Sequence, residues 1–416
     1  MDIFLGVIVG LFVLMFLVTA HEFGHFIAAR RNGVRVLEFG ICFPPRAVAW
    51  VKDPETNRWK KLAKKDWDKP QEGLIFSLNW LPIGGFCQMD GESAEDTRKG
   101  TFGKAKLWAK TKILFAGVGM NWLIAFIILT VLAWTGMPNF LDNQFTIEND
   151  TVTKWAPVLV TGVEKDSPAD RAGIKEGDSI LAIDDKNVSY VSEITDYNEL
   201  HAGEEVKITI LRGDLECQTV NGVRNVECTE EKGFVATVKL NEKEADYLLG
   251  VTMASTQSRS YSSWSAPIVG AGLTVQLTAE TFKGLGVMVG NLFSGVFSLF
   301  SPDANVRENG QAAISAVGDS VSGPIGIIGT LFPSFTATGA TNVAFLAALI
   351  SVSLACMNIL PIPALDGGRW LLIAIYKLRK KKLTKETEEK IVSRAFTVLL
   401  GLIAIVTVLD IIRLFK

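Results

Sequence analysis

The chain has 416 residues, of which 48% are hydrophobic and 21% charged, with a formal net charge of −2. That combination, with a positive mean hydropathy, suits a membrane protein carrying soluble parts and excludes a water-soluble single domain. Charge near balance gives no reason to expect a nucleic-acid partner.

The first predicted element is an apolar helix over residues 3–29, interrupted by His21-Glu22-Phe23-Gly24-His25. In a helix the two histidines share one face and can hold one metal ion, with Glu22 beside them as proton acceptor. The bland alternative is two helical histidines satisfied by hydrogen bonds. Against it, the chain has only three histidines, and an acid with two imidazoles inside a bilayer is retained for function. The segment lacks a basic n-region and is too long for a cleaved signal peptide.

A loop over 31–112 follows, with an exposed lysine-rich insertion near 59–69. Leu74, Phe76, Leu78 and Trp80 alternate with smaller or polar neighbours and predict a strand. Gly84-Gly85 is expected to turn it, with Phe86 to Met89 returning as a small membrane-associated β-hairpin. Such an edge can hold an extended peptide by backbone hydrogen bonds. A second span at 113–134 carries Asn121, which needs a buried partner.

Residues 150–255 turn polar and β-like. The run Ser167-Pro168-Ala169-Asp170-Arg171-Ala172-Gly173, continuing to Ile183, resembles a PDZ domain, which implies a peptide or substrate tail as partner. His201 falls in this domain, across the bilayer from the pentad in the expected topology. Cys217 and Cys228 flank an Asn-Gly turn signal symmetrically, and a disulfide between them is expected. Residues 256–340 are expected to form an amphipathic or re-entrant linker that starts and ends on the external face. A crossing there would leave Asp366 a membrane thickness from His21.

The third span, over 343–360, ends in Asn358-Ile359-Leu360-Pro361-Ile362-Pro363-Ala364-Leu365-Asp366-Gly367-Gly368. Two prolines break the helix there, and broken backbone at membrane depth lines protein or a watery cavity. Asp366 is the strongest third metal ligand from this reading; Glu38 and Cys356 are the alternatives. A basic loop over 377–390 and a fourth span over 391–416 complete the chain. The positive-inside rule puts the basic loops in the cytoplasm and both termini outside.

Taken together, the pentad, the Asn-x-x-Pro-x-Pro-x-Leu-Asp-Gly-Gly element and the PDZ-like run resemble the site-2 protease family, the intramembrane zinc metalloproteases, and within it the bacterial RseP type. Phe39-Gly40-Ile41, Pro82-Ile83-Gly84-Gly85-Phe86 and Ser322-Gly323-Pro324-Ile325-Gly326 extend the likeness along the chain. The resemblance implies one zinc ion bound by His21, His25 and Asp366, with Glu22 as the acid/base. It also implies that Asn358 and the hairpin at Gly84, Gly85 and Phe86 hold the substrate. The implied fold is mainly α and polytopic, with four transmembrane helices and an inserted extracytoplasmic α/β PDZ domain. The implied setting is the inner membrane of a bacterium, with single-span membrane proteins (anti-sigma factors or remnant signal peptides) as substrates. The sequence departs from the family in having one PDZ run where many relatives have two, Cys42 for a usual glycine and Cys87-Gln88 for a usual Val-Lys. The rival readings are a zinc protease cutting soluble or juxtamembrane peptides and a non-catalytic PDZ scaffold.

Overall fold

A computed structural model describes residues 2–414 except 68, 70, 94, 142, 156–157, 185, 189–190, 213–216, 220–232, 244, 246, 255–258 and 321–322. The chain divides into two compact units, Thr130–Gly270 and the remainder, Met1–Leu129 with Ala271–Lys416.

The larger unit is built on helices whose apolar residues lie on every side, the pattern of segments surrounded by lipid and protein. Helix α1 spans Asp2–Arg31, and Ile3, Phe4, Phe12 and Phe16 on it are exposed. Helix α2 spans Leu107–Thr135. Between them, β1 (Val36–Lys52), β2 (Trp59–Lys61) and β3 (Ile75–Met89) form an antiparallel sheet. The sheet corrects the expected hairpin. Residues 75–78 and 85–88 do not pair with each other; both pair with β1, on either side of Glu38–Ile41. Val36 and Phe39 of β1 share one buried cluster with Phe76, Cys87 and Met89 of β3, which makes β1 the better partner than a two-residue reversal at Gly84-Gly85. Cys42 has φ 64°, a left-handed backbone that favours glycine.

After the smaller unit come α5 (Ala266–Leu299), α6 (Ala304–Ser320), a short helical stretch over Pro324–Ala337, α9 (Ala340–Ile359), α10 (Asp366–Leu378) and α11 (Lys385–Leu414). The stretch comprises α7 (Pro324–Gly326), a π turn at Ile327–Leu331 and α8 (Phe332–Ala337). Among the described residues five helices, not the expected four, are long and apolar enough to cross a membrane. The additional one is α5, an unbroken helix of 34 residues where an amphipathic or re-entrant linker was expected. Its glycines weaken a helix in water but are common in membrane helices. In the structure α6 folds back along the end of α5, with Gly310 against Ser298. The chain then reaches α8, whose Phe332 and Pro333 sit on Gly10 and Gly6 of α1, where added methyl groups would collide at 2.7 and 2.4 Å. Helix α9 therefore starts beside the first turns of α1 and runs in the same sense. Helix α2 runs the opposite way, since Ile113 meets His25 while Asn121 meets His21.

The smaller unit carries a sheet in which β11 (Gly233–Lys239), β9 (Glu205–Arg212), β7 (Asp178–Ile183), β6 (Val158–Val163) and β12 (Val251–Ala254) lie in that order. Along β9, Val206, Ile208 and Ile210 are buried while Glu205 and Lys207 face out, the period of a half-buried strand. Two helices, α3 (Pro168–Arg171) and α4 (Val191–Leu200), accompany the sheet. The Ser167 hydroxyl caps α3 by accepting from the Asp170 amide at 3.1 Å. Strand β10 (Cys217–Thr219) pairs with β5 (Val152–Trp155). Cys228, and with it the expected bridge to Cys217, lies outside the described residues.

Candidate metal centre

The site begins with the pentad near the end of α1, where both histidine side chains are almost fully buried. Spacing of i, i+4 brings the His21 and His25 Nε2 atoms to 3.1 Å of each other. The third group arrives from far along the chain. Helix α9 stops at Ile359 because Pro361 and Pro363 cannot donate into a continuing helix. Short turns, Ile362 N–H to Leu360 and Leu365 N–H to Ile362, carry the chain to α10, which opens at Asp366. Gly367 and Gly368 make this reversal possible: a Cβ on either would lie 2.0 Å from a carbonyl, of Ile359 and Ile362 respectively. Asp366 Oδ2 then stands 3.1 Å from His21 Nε2 and 3.3 Å from His25 Nε2.

These distances fit a metal. Bonds of about 2.0–2.1 Å around a tetrahedral zinc set its ligand atoms about 3.3 Å apart, close to the three separations observed. Three acceptor-rich groups face one another here, and no lysine or arginine pairs with Asp366 among the described residues. The two other carboxylate or thiol choices are occupied elsewhere. Glu38 is buried in a two-pronged ion pair with Arg46, which donates from Nε to Oε1 at 3.0 Å and from Nη2 to Oε2. Cys356 is fully buried, with the Thr278 hydroxyl as its side-chain partner. His201 stacks on Tyr197, and its Nδ1 lies 2.9 Å from the Tyr197 carbonyl.

Helix α2 completes the setting in a way that the sequence reading missed. His25 Nδ1 sits 2.8 Å from the Ile113 carbonyl, which fixes the tautomer that leaves Nε2 free. Asn121, fully buried, meets His21 Nδ1 at 3.3 Å through its amide, and its other amide atom has no partner. Oxygen and nitrogen of an asparagine amide are interchangeable by a half-turn. With the oxygen toward His21, the ring N–H donates to Asn121 and Nε2 is again free for metal. The Ser351 hydroxyl of α9 donates to the backbone carbonyl of Asn121 at 2.8 Å. Between these contacts α2 passes so close that a Cβ on Gly117 would lie 2.6 Å from both Nε2 atoms. The signal present in the sequence was an amide in an otherwise apolar span, four residues after Gly117, which needs a buried partner.

Glu22 shares the pentad's turn, with ligand atoms of His21, Glu22 and His25 all within 4.8 Å. Its carboxylate accepts from the Cys87 amide, so β3 touches the site directly. Gly84 and Gly85 run alongside Val18 and Thr19, and a Cβ on Gly84 would lie 2.7 Å from the Val18 side chain. Phe86 crosses over Gly40 of β1. Asn358, half-buried in the last turn of α9, has no side-chain hydrogen bond among the described residues.

Residues 9–403 match the profile of peptidase family M50. A zinc metalloprotease RasP of Shouchella clausii is 29% identical over 480 aligned positions, covering 96% of this chain and 97% of that protein. The RasP of Bacillus licheniformis is 25% identical, covering 97% and 98%. A Clostridium perfringens protein that also carries the zinc metalloprotease name is 27% identical over 98% of both chains. With a profile match over nearly its whole length and a donor set that fits zinc, this chain is a membrane zinc metalloprotease and belongs to peptidase family M50.

Proposed function

We propose that this protein hydrolyses peptide bonds inside the transmembrane segments of single-span membrane proteins. The observation that carries the reading is the placement of the donor set: His21, His25 and Asp366 converge among long apolar helices. His21, His25 and Asp366 would hold the zinc, which would supply Lewis acidity toward a peptide carbonyl and water. Glu22 takes the proton from the attacking water and returns it to the leaving amine. A helical substrate hides its carbonyls in its own hydrogen bonds, so it must be unwound locally. The backbone of Gly84, Gly85 and Phe86 lies beside α1 just before Glu22, which favours an added strand there, and Asn358 offers an uncommitted amide for the substrate backbone.

In this reading the pentad end of α1, with Arg30 and Arg31, faces the cytoplasm of a bacterial inner membrane. The unit containing residues 150–255 is then an extracytoplasmic PDZ domain that binds a substrate tail, and anti-sigma factors or remnant signal peptides are the substrate classes. The test is co-expression with such proteins, with and without Glu22→Gln. A transmembrane fragment that accumulates only with the unchanged chain supports it; no Glu22-dependent fragment from any of them rejects it. A second reading, cleavage of soluble or juxtamembrane peptides, has one observation in its favour. A polar cavity of about 940 Å³, lined by Glu92, Arg98, Asp366, Arg369 and Glu388 among others, reaches the third ligand.

A further inference from the structure

We propose that the groove between α1 and α2 is a binding site for an anionic phospholipid, independent of the protease reading. The groove has a volume of about 550 Å³, and small side chains make it: Gly24 and Ala28 on α1, Ala116 and Gly119 on α2, with Met120 and Leu123 along one wall. It is not a packing defect that a neighbour fills. A Cβ on Gly119 would meet nothing within 4 Å, and Leu123 is 48% exposed. Its chemistry changes along its length. The part between Gly24 and Leu123 is apolar, whereas Arg31, the last residue of α1, and Lys112, in the second turn of α2, close one end. Neither cation forms an ion pair among the described residues. Trp108, 68% exposed, lies 5.6 Å under the Lys112 ammonium, an aromatic placed as membrane-interface aromatics are.

The occupant follows from this gradient. An acyl chain matches the apolar length, and a phosphate at its head matches two unpaired cations at the helix ends, at interfacial depth. Free phosphate would leave the apolar length unfilled, and a second copy of this chain would bring Arg31 and Lys112 against like charge. The groove also shares a wall with the metal centre, since Gly24 touches the Ala116 carbonyl one residue before Gly117 reaches the histidines. A bound lipid would brace that helix crossing.

The test is native mass spectrometry of the purified full chain in detergent, titrated separately with phosphatidylglycerol, phosphatidylcholine of the same tails, and inorganic phosphate. The expected result is a phosphatidylglycerol adduct that binds at least tenfold more weakly to the Arg31→Gln/Lys112→Gln double variant, and likewise to Gly119→Leu, which fills the groove. Phosphatidylcholine should bind more weakly than phosphatidylglycerol, and phosphate should not displace the lipid. Zinc content checks each variant's fold, and either variant alone decides the question. Unchanged affinity in a zinc-loaded variant, equal binding of the neutral lipid, displacement by phosphate, or loss of a dimer in Gly119→Leu would each overturn the assignment.

Discussion

The two units handle a carboxylate withdrawn from solvent in opposite ways. In the β unit Asp178, 1% exposed, is saturated: Arg212 donates to both its oxygens at 2.7 Å and the Lys175 amide donates at 2.8 Å. Burial alone would raise its pKa, but those donors outweigh burial and hold the carboxyl below its ordinary range. At the metal end Asp366 is largely withdrawn from solvent, its side chain 19% exposed, yet among the described residues it pairs with two imidazoles and no guanidinium or ammonium. A buried anion without a cation is costly. One site is finished by its own chain, and the other leaves three donors facing one another, which in the proposed reading a metal completes. The difference separates a structural carboxylate from a ligand more sharply than burial does.

The comparison predicts the largest effects at the metal end. Asp366→Ala should lose both zinc, read by elemental analysis of the purified chain, and cleavage of a co-expressed substrate. Glu22→Gln should keep zinc, since no ligand changes, and lower cleavage by about 10²–10⁴-fold, the scale of lost acid–base catalysis. Zinc retained in Asp366→Ala would remove the contrast with Asp178.

Gly117→Ala comes next. Its methyl would sit 2.6 Å from the Nε2 atoms of His21 and His25, so zinc affinity should fall by about 100-fold while the β unit still folds. Competition with a chelator measures it, and wild-type affinity would show that α2 does not set the ligand geometry. Asn121→Leu should weaken zinc by about 10-fold or more, because His21 Nδ1 loses its orienting partner. The same chelator titration checks this value.

The smallest expected effect is in the β unit. Asp178→Asn should destabilise it by about 1–3 kcal/mol, read by hydrogen exchange of β7 and β9, without altering zinc content. The value is at the lower end for a broken buried pair because Arg212 is 46% exposed and can return to water. The sign with pH follows from the lowered pKa. The contribution of Asp178 is fully present above the unfolded carboxylate value near ~3.9 and is lost as pH falls through the folded value. Protection of β7 that stays constant through that acid range would contradict the pairing.

The same contrast explains what could be read beforehand. The β unit follows from local patterns, such as Val206, Ile208 and Ile210 alternating with exposed residues, and from Ser167 with Pro168 as a helix start. The two histidines are equally local, being one helical turn apart. Asp366 lies 345 residues from His21 and needed the proline break to single it out. What was missed depends on contacts that carry no periodicity. Asn121 could be recognised as a buried amide but not as the partner of His21. The sheet was misjudged because Gly84-Gly85 reads as a reversal, whereas the arms on either side pair with a third segment, Glu38–Ile41. Helix α5 was expected only as an amphipathic or re-entrant segment, because Gly284, Gly286, Gly290 and Gly295 dilute its apolar pattern and hide a continuous helix of 34 residues.

The most direct test of the central claim is to map the scissile bond. A single-span substrate is incubated in detergent with the purified, zinc-loaded chain and with its Glu22→Gln counterpart, and the product termini are sequenced by mass spectrometry. New termini inside the substrate's apolar segment, absent with Glu22→Gln, are the predicted result. Termini confined to the flanking soluble sequence, or the same cuts with Glu22→Gln, would contradict it.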